Sequence, residues 1–197
     1  LDGDGDQDLV LGNRGENFYF SGSPEAPAKI WIWDFDNNGT VEKIMTRQIN
    51  GRDMPIPMKK DLTSQLPMLK KDNLKHTDYA KKSIQDLFQA PLLKKAMMRE
   101  ANYFKSAIAL NNGNGQFTLQ ELPKEVQFAC VCAIWCGDVK KKKKNDILLA
   151  GNDNGFIPQF SKLDASFGHT LINRGDGTFE RMENWRSGFS VRGDVKQ

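Results

Sequence analysis

Short Asp-rich runs, each followed at once by an apolar strand-forming run, constrain this chain more than any other feature. The opening places Asp2, Asp4, Asp6 and Asp8 immediately before Leu9-Val10-Leu11. A second run, Asp34-Phe35-Asp36-Asn37-Asn38-Gly39-Thr40-Val41-Glu42, leads into Lys43-Ile44-Met45. A third, weaker one stretches from Asp138 to Asp146 and leads into Ile147-Leu148-Leu149-Ala150, and Gly193-Asp194-Val195-Lys196 looks like the start of a fourth. A second element alternates with these: Asn111-Asn112-Gly113-Asn114-Gly115-Gln116-Phe117 matches Asn173-Arg174-Gly175-Asp176-Gly177-Thr178-Phe179. Gly and Asn supply the positive φ angles of tight hairpins, and the Phe then begins a strand. Each unit therefore reads as Asp loop, strand, hairpin, strand. Asp138 and Asp194 lie 56 residues apart, about the length of a four-stranded propeller blade.

The apolar runs agree with a mainly β chain. Ala28–Trp33, Val126–Cys136 and Asp146–Ala150 are short and bounded by turn residues, and both faces of Val126–Cys136 are apolar enough for an inner strand. Residues 52–105 break the pattern. Pro55, Pro57, Pro67 and Pro91 punctuate Lys-rich helical periodicity there. Thr77 or Asp78 suits the cap of a helix presenting Ala80, Ile84, Leu87 and Phe88, and Leu93, Met97, Ala101 and Phe104 form a second helical stripe. This stretch carries 12 basic and 6 acidic residues against a whole-chain charge of +3, so the remainder is slightly acidic. The expected division is thus repeats over 1–51, a helical insertion over 52–105 and repeats over 106–197. A charge of +3 without a basic stripe argues against nucleic acid as a partner, and no apolar run reaches the ~18 residues of a membrane span.

Carboxylates this close repel one another unless a cation sits among them. A hard divalent ion takes six to eight oxygens, and a tight loop supplies them from side chains at positions 1, 3, 5 and 9 and a backbone carbonyl at 7, with Gly at 6 for the turn. The second loop fits throughout with Asp34, Asp36, Asn38, Gly39, the Thr40 carbonyl and Glu42. The first fits from position 3 onward, with Asp2, Asp4, Gly5, the Asp6 carbonyl and Asp8. Its first position would precede Leu1, so the chain is expected to be a piece of something longer. Oxygen-only ligands favour Ca²⁺ over Zn²⁺. The competing reading is an Asp/Asn/Gly turn that binds nothing. An EF-hand would need a helix after the loop, and strands follow instead. In the third loop Lys140 and Lys142 replace the ligands at positions 3 and 5, and Lys143 the Gly at 6, between Asp138 and Asp146, so a metal-free loop is expected, its carboxylates neutralised by the ammonium groups.

Asp34-x-Asp36-x-Asn38-Gly39-x-x-Glu42 before an apolar strand resembles the FG-GAP/VCBS repeat of integrin-α-type β-propellers. Ala101–Ile108, Asn112-Gly113-Asn114-Gly115-x-Phe117, Leu122-Pro123-x-Glu125-x-Gln127-Phe128 and Leu163–Gly168 are similar to bacterial secreted VCBS-repeat proteins of the ASPIC/UnbV group. The resemblance implies a partial β-propeller of about three blades with an α-helical insertion, an extracellular or cell-surface location, and structural Ca²⁺ in the loops. It carries no catalytic residues. The implied role is non-enzymatic: adhesion, scaffolding or binding of a protein partner within a larger surface complex, or of a glycan. The alternative is a carbohydrate-binding or hydrolytic propeller enzyme with a pocket at the axis or against the insertion.

Other features weigh less. Cys130, Cys132 and Cys136 would share one strand face as buried free thiols, with no fourth ligand for zinc. His76 and His169 lack a nucleophile motif. Trp31, Trp33 and Trp135 precede Asp loops and read as core, and Arg192-Gly193-Asp194 coincides with the beginning of a repeat.

Overall fold

A computed structural model describes residues 1–19, 21–156, 160 and 162–196. The chain is mainly β, built of three antiparallel sheets, and divides into two compact units. One comprises residues 1–19 and 104–197; the other, residues 20–103, interrupts it. No closed barrel or ring of blades is formed among the described residues.

The first unit holds strands β1 (Leu9–Leu11), β6 (Ala107–Asn111), β7 (Phe117–Glu121), β8 (Val131–Gly137), β9 (Asp146–Gly151), β10 (His169–Asn173) and β11 (Phe179–Met182). They form a three-stranded sheet, β1-β6-β7, and a four-stranded one, β11-β10-β9-β8. Ile108, Leu122, Val126, Val131, Ile147, Leu149 and Leu171 make a buried cluster from both sheets, with Val10, Leu110 and Phe179 packed against it.

Pairing offsets in the two sheets coincide. Leu9 faces Ala109 two residues before Asn111, and Ile147 faces Leu171 two residues before Asn173. Asn111 faces Phe117 across one hairpin and Asn173 faces Phe179 across the other. Hydrogen bonds follow suit. Asp8 Oδ1 accepts the Asn111 amide at 2.8 Å and Asp146 Oδ1 the Asn173 amide at 2.9 Å. Each Asn then turns its own hairpin by accepting the amide of Gly113 (2.9 Å) or Gly175 (2.6 Å). β1, β6 and β7 thus correspond to β9, β10 and β11.

The run expected to be one inner strand over Val126–Cys136 is divided. Lys124–Phe128 is a 3₁₀ turn, held by the buried Gln127, whose Oε1 accepts the Ser106 amide at 2.8 Å while Nε2 donates to the Ser106 and Leu122 carbonyls. β8 starts only at Val131, is irregular between Val131 and Ala133, and ends the sheet order. As an edge strand it leaves Cys132, Trp135 and Cys136 exposed, so only Cys130 is the buried thiol expected. Trp135, 51% exposed, is no core residue.

The second unit is a sheet of order β4-β3-β2-β5, from β2 (Ala28–Trp33), β3 (Glu42–Ile49), β4 (Arg52–Pro55) and β5 (Met97–Ala101). Between β4 and β5 run α1 (Lys59–Gln65), α2 (Leu69–Asp72), α3 (His76–Tyr79), α4 (Ile84–Leu87) and α5 (Ala90–Leu93). Phe35, Ile44, Leu62, Leu66, Leu69, Tyr79, Ile84 and Phe88 form its core, with Trp31 and Trp33 packed against it. A boundary at residue 52 would cut the β3–β4 hairpin, so the inserted unit begins near residue 20 and takes in the second Asp loop. The first expected helix is two short ones, because Ser83 starts a new N-terminus whose amide and hydroxyl donate to Asp86 Oδ2 at 2.7 and 2.8 Å. The second stripe fails after Leu93. Met97 to Ala101 form a strand, because the β2 edge offers a hydrogen-bonding ladder from Ala28–Ala101 to Ile32–Met97.

Candidate metal centre

The second Asp loop joins β2 to β3, and both ends are pinned. Phe35, at position 2, is buried in the core, and its amide donates to Glu42 Oε2 at 2.9 Å. Glu42 itself is 6% exposed. Between these anchors the loop folds on its own carboxylates. Asp34 accepts the amides of Asn38 (3.0 Å) and Gly39 (2.8 Å), Asp36 accepts that of Asn38 (3.3 Å), and Asn38 Oδ1 accepts that of Thr40 (2.7 Å). Gly39 has φ of 86° with open space around its missing Cβ, a conformation that favours glycine.

One carboxylate oxygen each from Asp34, Asp36 and Glu42 lies within 4.8 Å of the others, the single such gathering of acidic, His or Cys ligands among the described residues. No Lys or Arg among the described residues pairs with these three carboxylates within 4.0 Å. Each oxygen that accepts an amide keeps a second lone-pair direction. The gathered donors are all carboxylate oxygens, a set whose chemistry suits a hard cation such as Ca²⁺. A cleft of about 590 Å³, lined by Asn38, Thr40, Val41, Glu42, Lys43 and Gln65, adjoins the loop.

The first loop is not gathered in this way. Asp2 Oδ1 accepts the Asp4 amide at 3.3 Å and Asp4 Oδ1 the Asp6 amide at 2.9 Å, while Asp4 and Asp6 are exposed. Asp8 lies against the amino group of Leu1.

The third loop keeps the frame of the second, with carboxylates at positions 1 and 9 alone. Asp138 accepts the amides of Lys142 (2.9 Å) and Lys143 (2.7 Å), the same fifth and sixth positions that bind Asp34. Asp146 Oδ2 accepts the amides of Val139 (3.1 Å) and Lys140 (3.2 Å). The neutralisation expected from ammonium groups is therefore supplied by backbone N–H groups. Among the described residues no Lys side chain pairs with Asp138 or Asp146, and Lys144 Nζ donates instead to the Arg174 carbonyl. Lys141 and Lys143 hold φ of 55° and 58° at positions 4 and 6, as Asn37 (59°) and Gly39 (86°) do.

One cluster carried no signal in the sequence. His169, buried, lies with Nε2 3.3 Å from Ser166 Oγ, while Arg181 Nε donates to its Nδ1 at 3.4 Å. Because Nδ1 accepts, the neutral ring carries its proton on Nε2 and gives it to the serine, which also accepts the Gly168 amide. That is the reverse of a nucleophile–base pair, where the base must accept the serine proton. Burial, with the Arg181 charge second, pushes His169 down to about 4. His76 is exposed at the start of α3.

None of the described helices is long and apolar enough to cross a membrane. Comparison of the chain with protein-family models, with curated proteins and with solved structures finds no match.

Proposed function

We propose that this chain is a non-enzymatic, Ca²⁺-stabilised segment of a bacterial cell-surface or secreted protein, its sheets serving as propeller blades and its surfaces as binding or scaffolding faces. The observation that carries this reading is the convergence of Asp34, Asp36 and Glu42 in a loop anchored at both ends. In it, Asp34, Asp36, Asn38, Thr40 and Glu42 hold the ion. Bound Ca²⁺ supplies charge neutralisation and a crosslink between the end of β2 and the start of β3. Modules outside the cell bind Ca²⁺ with Kd of about 10⁻⁴ to 10⁻³ M, and tenfold saturation adds about 1.4 kcal/mol of stability.

Calorimetry on chelator-treated protein tests the reading. Adding Ca²⁺ to roughly ten times such a Kd raises Tm by a few degrees. Asp36→Asn, which keeps the oxygen that accepts the Asn38 amide, abolishes the rise. An unchanged Tm in the parent protein would overturn the proposal.

A further inference from the structure

A pair of thiols lies side by side where β8 begins. Cys130 and Cys132 are two residues apart in the chain, and their sulfurs are 3.5 Å from one another. Successive residues of an extended chain point to opposite faces, so residues two apart share one. The backbone that carries them is held from both sides. The Val131 amide donates to the Asn13 carbonyl at 2.9 Å, and the Cys130 carbonyl accepts the Asn152 amide at 3.4 Å. Val131 pairs with Gly151 and Ala133 with Ala150, so Cys132 is the extra residue of a β-bulge. At a rise of ~3.3 Å per residue the two Cα atoms are about 6.6 Å apart at most, inside the roughly 4.4 to 6.8 Å that a disulfide spans. Rotation of the side chains closes the pair without moving the strand.

The two differ in access. Cys130 is 4% exposed, whereas Cys132 faces solvent. A cleft of about 610 Å³ opens on both, and Arg14, Asp153 and Lys196 share its lining. Arg14 pairs with Asp153 at 2.7 Å, which leaves the Lys196 ammonium as the cleft's net charge. Positive surroundings favour the thiolate, the form that attacks sulfur. They equally favour an oxidant that carries carboxylates. The third thiol, Cys136, is exposed and is not among the residues that line this cleft.

We infer that Cys130 and Cys132 form a reversible dithiol–disulfide site, oxidised by a small carboxylate-bearing disulfide such as glutathione disulfide. Cys132 reacts first, because it is the accessible one. Its thiolate attacks one sulfur of the oxidant and the oxidant's S–S bond breaks. The departing thiolate takes up the proton that Cys132 gave to solvent. Cys130 then loses its proton, attacks Cys132 Sγ and expels the second glutathione, which leaves as a thiol. Two protein thiols are thus oxidised to one disulfide while one disulfide of the oxidant is reduced to two thiols. The sulfur waiting 3.5 Å away makes the mixed disulfide short-lived. A ring closed over a single intervening residue is strained, and strained disulfides are readily reduced, so excess thiol reopens it. The site needs neither the ion nor a role for the sheets as blades, and is tested apart from both.

Thiol counting and intact mass on the whole, reduced chain test it, with Cys136→Ser removing the third thiol. Treated with glutathione disulfide, that variant loses both remaining thiols and two hydrogens in mass and retains no glutathione. Excess reduced glutathione restores both thiols. With Cys130→Ser added, the reaction stops at one glutathione bound to Cys132. With Cys132→Ser added instead, the adduct forms on the buried Cys130 about tenfold more slowly or not at all. A stable adduct on Cys132 while Cys130 is present, a disulfide between two chains, or no loss of thiol overturns the inference. So does a ring that excess thiol leaves closed. Circular dichroism confirms folding; where Cys130→Ser fails to fold, Cys130→Ala takes its place with the same expected adduct.

Discussion

The Asp146 carboxylate reaches across 27 residues of sequence to accept the backbone amide of Asn173 at 2.9 Å, where both residues are buried. Its other oxygen takes the amides of Val139 and Lys140. One side chain thus ties the entry of β9, the third Asp loop and the β10 hairpin together.

Removing it strands three backbone donors. Asp146→Ala is expected to destabilise the first unit by about 3 kcal/mol, since hydrogen bonds to charged groups are worth roughly 1.5 to 3 kcal/mol each and water recovers part of the loss. Asp146→Asn costs less, because one acceptor oxygen remains. Urea unfolding followed by circular dichroism measures both. A loss below about 1 kcal/mol for the alanine variant would show that the contacts are incidental.

Lys143 pays for copying a glycine's backbone. Its φ of 58° falls in the left-handed region, which costs an L-residue with a Cβ roughly 1 to 2 kcal/mol. Lys143→Gly is expected to raise stability by about 0.5 to 1 kcal/mol, after the greater freedom of glycine in the unfolded chain is subtracted. The mirror change, Gly39→Lys, lowers stability by a similar amount. Thermal melts of the two variants in chelator give the comparison without any contribution from an ion.

His169 makes the protein acid-sensitive in a defined window. Its folded pKa of about 4 lies below the unfolded value of 6.5, so the unfolded state binds the extra proton first. Its contribution is fully present above pH 6.5 and is lost as pH falls toward about 4, by up to ~3 kcal/mol at 1.36 kcal/mol per pH unit. Arg181 and Ser166 face the ring directly. Stability measured from pH 7 to 4 should fall in the parent and fall less in His169→Gln. Parallel slopes would rule out this residue as the cause.

Cys130 and Cys132 should separate by reactivity. Burial, reinforced by the neighbouring Cys132, pushes Cys130 up to about 11, whereas Cys132 is exposed although the two sulfurs are 3.5 Å apart. The thiolate is the nucleophile. Iodoacetamide at pH 8 therefore labels Cys132 at least tenfold faster than Cys130, and the gap closes in denaturant. Peptide mass spectrometry reads the order directly.

Much of this was legible in the residues. The gathering of Asp34, Asp36 and Glu42 follows from spacing alone, because loop positions 1, 3 and 9 depend on local backbone geometry. The hairpins at Gly113–Gly115 and Gly175–Gly177 were found for the same reason. What escaped depended on contacts distant in sequence. Gln127 turns an apolar run into a 3₁₀ bend by binding Ser106, and the β2 edge converts the Met97–Ala101 stripe to strand. The Asp8–Asn111 bond spans the whole inserted unit, so no local pattern shows that residues 20–51 belong with that unit. Ser166 and His169 sit three residues apart with no motif around them, and only the fold brings Arg181 to the ring.

That arrangement also sets an order of events during synthesis. β1 emerges first, yet its partner β6 follows about a hundred residues later, Leu9 pairing with Ala109. At roughly 5 to 20 residues per second, the ribosome leaves β1 without its partner for about 5 to 20 s, while the pairings within residues 20–103 can close. The inserted unit is then a folded spacer that shortens the effective loop between β1 and β6, and lowers the entropy cost of bringing them together. A change that slows its folding, such as one at Ile44 in its core, would delay completion of a sheet to which that residue contributes nothing.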